Sequence, residues 1–109
     1  MAIAAGGASN VYAQRDRDSI LVERTCNGRF AAVLENRVQR EASEGDIDRD
    51  TAWRMHREID RLEDKGRHEC SEGDWRAARG IGENYMRISR WIDSEAGRPQ
   101  RWDDDRRGW

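Results

Sequence analysis

The chain has 109 residues, of which 39% are charged and 36% hydrophobic, against roughly 25% and 45–50% in ordinary globular chains. Leu, Ile, Val and Phe together number only 15, so the ceiling is one small domain, and length excludes a large catalytic α/β fold or a barrel. No run approaches the ~18 apolar residues of a transmembrane segment.

Basic and acidic residues nearly cancel, 20 against 22, for a net charge of −2, and Lys65 is the one lysine among them. The balance also holds locally: Arg29 to Ser43 sums to +1, Asp48 to Lys65 to −1, and Asp74 to Glu95 to zero. Phosphate binding needs a basic stripe, and none is written here, so no nucleic acid is expected.

In chain order, residues 1–13 read MAIAAGGASNVYA, poor in charge and rich in Ala and Gly. Val11-Tyr12-Ala13 places small or β-branched residues at −3 and −1 of a cut before Gln14, the pattern of a signal peptidase site. These residues are expected to be the remnant of a signal peptide or a disordered N-terminus, with a periplasmic or secreted protein following.

Residues 14–97 are predicted to form an all-α, up-down-up three-helix bundle. A short apolar run, Ile20 to Val22, is closed by Asn27-Gly28, a turn signal. The first helix is expected over Arg29 to Ser43, with Phe30, Val33, Leu34, Val38 and Ala42 at helical spacing. In the second, Ala52, Met55, Ile59 and Leu62 make one apolar stripe. Asp48 is its expected N-cap, Ile47 a staple onto Ala52, and Gly66 its stop. The third is expected from about Asp74 to Glu95 on a stripe of Trp75, Ala78, Ile81, Tyr85, Ile88 and Ile92. Gly80 and Gly82 interrupt it at about 1 kcal/mol each; either the helix is weak there or a neighbouring backbone comes close. Gly97 and Pro99 are expected to end it, leaving residues 98–109 as a flexible tail. The tetrapeptide Ser-Glu-Gly-Asp occurs at 43–46 and again at 71–74, each time before a helix, which points to a loose helix-turn-helix repeat.

Two cysteines behind an export-like N-terminus favour one bridge, Cys26–Cys70. The topology agrees, because the start of the first helix and the second turn fall at the same end of an up-down-up bundle. Calcium fits poorly. Counted as an EF-hand loop around Gly45, Arg40 and Ala42 occupy ligand positions and Thr51 replaces the bidentate Glu. Zinc would have to use Cys26, Cys70, His56 and His68, which lack any paired metal-ligand spacing. Glu35, Glu58 and Glu69 are the acid/base candidates, but no nucleophile elbow, phosphate loop or metal-protease motif accompanies them. The chain is therefore not expected to be an enzyme or to carry a cofactor. Trp102 and Trp109 bracket an acidic and basic run in the tail and are candidate anchors for docking a partner.

The stretch SEGDIDRDTAWRMHREIDRLE (Ser43 to Glu63), then HEC, then GDWRAARGIGENYMRISRWIDSE, resembles short exported bacterial proteins, Arg- and Glu-rich and helical, of unknown function. The resemblance spans about Cys26 to Arg98. It implies export and a helical bundle, and carries no activity or catalytic residues. The expected role is a non-catalytic binding or structural protein of the cell envelope, partnered by another envelope protein or by itself. Two alternatives remain open: a metal-binding or metal-responsive periplasmic protein using carboxylates such as Asp103 to Asp105, and a small cell-wall glycan hydrolase acting through Glu35.

Overall fold

Apolar residues at a 3.6 period bury themselves only if helices supply one another's cover. The computed structural model shows three long helices doing so. It describes the backbone of residues 15–107 and the side chains of residues 15–97. Within that span the chain is all-helical: α1 (residues 15–26), α2 (Arg29–Ser43), α3 (Arg49–Ser71) and α4 (Trp75–Arg107). The expected three-helix count is thus corrected to four among the described residues. The addition is α1, whose apolar run is too short to announce a helix by periodicity and whose Leu21 and Thr25, one turn apart, are buried against the bundle.

Helices α2, α3 and α4 each pack on the other two. Leu34 and Val38 from α2, Met55, Ile59 and Leu62 from α3, and Ile81, Tyr85, Ile88 and Ile92 from α4 form one buried cluster. Each such side chain contributes about 1.5–3 kcal/mol when taken wholly out of water. Ile47 joins the same cluster with Ala52, as a staple should. Asp48 caps α3, accepting hydrogen bonds from the Thr51 N–H at 2.8 Å and the Thr51 hydroxyl at 3.0 Å. Those donors hold its carboxyl below the ordinary carboxylate range.

The repeated tetrapeptide closes two helices in the same way. Gly45 and Gly73 are left-handed, at φ 81° and 72°. In each turn the glycine N–H bonds the carbonyl three residues back, Ala42 or Cys70, and the following Asp N–H bonds the carbonyl five back, Glu41 or Glu69. This is the Schellman closure, and it needs glycine at that one position. The two copies then diverge: Asp74 itself caps α4 through the Ala77 N–H, whereas α3 waits two further residues for Asp48.

Two helix ends and one burial differ from the sequence expectation. Gly66 does not end α3; it is buried in the helix, and a Cβ there would lie 3.4 Å from the Thr25 methyl of α1. Backbone helix in α4 passes Gly97 and Pro99 and runs to Arg107. Trp75, expected on the packed stripe, is 57% exposed and lines a surface groove with Val22 of α1. The two interior glycines of α4 prove unlike each other. Gly82 is the close approach, since a Cβ there would meet the Leu21 Cβ and Thr25 Oγ1 at 3.0 Å; Gly80 faces open space.

Candidate functional site

The expected bridge is where topology placed it. Cys26 ends α1, Cys70 lies in the last turn of α3, and the two are disulfide-bonded with their Cα atoms 5.7 Å apart. Both thiols that a zinc site would have used are thereby joined to each other. His56 in turn pairs through Nδ1 with Glu35, and His68 lies 3.8 Å from Glu69.

The three glutamates singled out from sequence are not gathered into one site. Glu58 pairs with Arg61 on its own helix, which holds its carboxyl below the usual range. Glu35 bridges from α2 to His56 on α3. Burial pushes its carboxyl up; His56 pulls it down, and the neighbouring Asp60 carboxyl pushes it up again. At the α2–α3 turn, Glu41, Glu44 and Asp46 converge, with one oxygen from each within 4.8 Å of the others. Burial and then Asp46 raise the Glu41 carboxyl. The EF-hand count missed this trio because a helix C-terminus, not a loop register, brings it together. Trp102, Trp109 and Asp103 to Asp105 lie outside the described side chains, as residues 1–13 lie outside the described backbone.

A groove of about 670 Å³ runs along α3 and reaches Trp91 of α4. Its Trp53 is 58% exposed and carries the Arg57 guanidinium 4.8 Å above its ring. Its charges are of both signs, and Arg57 on Trp53 and Arg61 on Glu58 already satisfy one another.

A smaller concavity, about 130 Å³, lies in the seam between α2 and α4 and differs in kind. Its floor is apolar. Phe30 packs on Tyr85 with ring centroids 5.4 Å apart, a contact worth about 0.5–1.5 kcal/mol beyond the area it buries. Val33 and Met86, 46% and 36% exposed, complete that floor. Arg24, Arg29 and Arg37 stand at its rim, and no carboxylate is among the described residues lining it. Arg37 is anchored: it donates to Ser89 Oγ at 3.0 Å and pairs with Asp93. The guanidiniums of Arg24 and Arg29 meet no carboxylate among the described residues. Sequence reading missed this slot because it summed charge along the chain. The three arginines come from two helices whose segments are individually near neutral, and only the packing of α1, α2 and α4 sets them around one hollow.

Set beside known proteins, the chain matches no family model, no curated protein and no solved structure.

Proposed function

We propose that this is a non-catalytic binding protein of the cell envelope, exported and of the same kind as the short Arg- and Glu-rich helical proteins it resembles. The observation that carries the reading is the α2–α4 slot: an exposed apolar floor under arginines, two of which lack a carboxylate partner among the described residues. Exposed apolar surface ringed by charge is how partner surfaces are built, and Arg is over-represented where binding energy concentrates. The disulfide supports export, because such bridges persist in oxidising compartments. The cleavage-like Val11-Tyr12-Ala13 supports it independently. Trp102 and Trp109 would add a second contact from the tail.

A photo-crosslinking residue placed at Val33 in living cells tests this reading. It should capture one envelope protein, and the capture should disappear when Arg24 and Arg29 are both changed to Glu. The same crosslinker at Trp53 should capture nothing in common with it. Equal capture from both positions, or none from Val33, would sink the reading.

A further inference from the structure

Resting on that reading, we propose that the slot recognises an acidic segment of a partner protein, one apolar side chain flanked by carboxylates. Size comes first. At about 130 Å³ the hollow is well below the roughly 300–1,000 Å³ of small-molecule pockets. It has room for a single aliphatic or aromatic side chain lying over Phe30, Val33 and Met86, and not for a cofactor or a lipid tail.

Charge then selects the flanks. A guanidinium offers a planar fork that matches a carboxylate with two parallel hydrogen bonds. Arg24 and Arg29 have such forks without a carboxylate among the described residues, while Arg37 is already held by Ser89 and Asp93 and gives the rim a fixed edge. Two acids of α4 are engaged elsewhere: Asp93 with Arg37, and Glu83 towards Arg79. A basic partner would meet this rim with like charge, and an uncharged one would leave both forks unpaired.

The chain's own tail fits less well. Residues 98–109 hold four arginines against three aspartates, so the tail of a second copy would bring more basic than acidic side chains to a positive rim. It could not reach its own slot as a helix either. Trp102 lies 16 residues beyond Met86, roughly 24 Å along a helix axis. The occupant proposed is therefore a segment of a different protein, acidic and without the arginines that accompany Asp103 to Asp105 in the tail.

The test uses the full-length oxidised chain and short labelled peptides followed by fluorescence anisotropy, with amide shifts locating the contact. The probes are Asp-Glu-Phe-Asp-Glu, its Lys-for-acid counterpart, its Ala-for-Phe counterpart, and a peptide of residues 98–109. The acidic Phe peptide should bind, move the Val33 and Met86 amides, and weaken as salt rises from about 50 to about 500 mM, as exposed charges require. Arg24→Glu with Arg29→Glu should weaken it by about tenfold or more, equal to about 1.4 kcal/mol. Both positions are exposed, and an unchanged circular dichroism spectrum verifies the fold. Met86→Glu, which blocks the floor without touching the rim, should weaken it as well. Equal binding of the Lys peptide, indifference to both variants, or tighter binding of the 98–109 peptide would each overturn the proposal. If no acidic peptide binds while Val33 still crosslinks its partner in cells, the assigned chemistry is wrong and the binding-protein reading stands. If both fail, the reading falls with it.

Discussion

Helices α2 to α4 and helix α1 are held to the molecule by different means. Ile59, Leu62 and Tyr85 sit in a cluster fed by all three long helices, so many dispersed contacts and a large apolar area secure each of them. From α1, Leu21 and Thr25 are buried, and neither belongs to that cluster. Thr25 also buries its hydroxyl without a hydrogen-bond partner, which costs stability. What α1 has instead is fit and a tether: a seat cut by Gly66 and Gly82, and the covalent link from Cys26 to Cys70. A region secured by area resists local opening; one secured by a few points opens first. The distinction bears on function, because α1 brings Arg24 to the rim of the slot.

Cutting into each region should separate them. Ile59→Ala removes a fully buried side chain and should lower stability by about 2–5 kcal/mol in urea unfolding. Leu21→Ala should stay at or below the bottom of that range, since α1 can settle towards the gap. A loss at Leu21 as large as at Ile59 would erase the contrast.

Breaking the tether with Cys26→Ser and Cys70→Ser frees a loop spanning 44 positions. The cost should be up to about 4 kcal/mol in the unfolding free energy on the chain-entropy model. The double variant should also lose Arg24-dependent peptide binding at temperatures where α3 and α4 remain folded. An unchanged midpoint after reduction would show that the bridge stabilises nothing.

Gly80 and Gly82 offer the narrowest comparison, one substitution at two positions two residues apart. Gly80→Ala gains helix propensity in open space and should stabilise by about 0.5–1 kcal/mol. Gly82→Ala drives a methyl against Leu21 and Thr25, an overpacking cost of about 1–3 kcal/mol that outweighs the same gain. Melting temperatures moving in opposite directions would confirm the seat; both rising would remove it.

The smallest effects are in pH. Glu35 has a raised carboxyl pKa, chiefly from burial. The folded chain therefore holds that proton more tightly than the unfolded one, and stability falls as pH climbs from the ordinary carboxylate value through the raised one. Glu35→Gln should match the native chain below that window and exceed it slightly above. Asp48 has the opposite sign: lowered by the Thr51 donors, it contributes above the ordinary value and loses that contribution as pH falls through its own. Asp48→Asn should flatten the acid limb of the stability profile, and a profile unchanged by either substitution would contradict these assignments.

Long periodic elements were legible before any coordinates. The stripes of α3 and α4, the Asp48 cap and the Cys26–Cys70 pairing all follow from spacing and topology, since a 3.6 period and short turns leave few arrangements. Helix α1 was not legible, because three consecutive apolar residues carry no period and its helix forms by docking onto glycines far along the chain. The same long-range fit disguised Gly66, a residue that stops helices in isolation and here admits the Thr25 methyl. Val33 shows the limit at the slot. It lies on the apolar stripe of α2 by spacing, yet it stays 46% exposed in the slot it shares with Tyr85 and Met86 of α4, while Leu34 and Val38 on the same stripe are buried. Pattern locates a stripe; only packing decides which edge of it stays uncovered.

Native-state hydrogen exchange on the oxidised chain tests the division between the two regions most directly. Amides of residues 15–26 should exchange through local opening, at free energies well below the global value and insensitive to low denaturant. Amides around Ile59 and Tyr85 should exchange only through global unfolding. If the α1 amides instead share the free energy and denaturant dependence of the α3 and α4 amides, α1 belongs to the same cooperative core, and the account of a tethered arm is wrong.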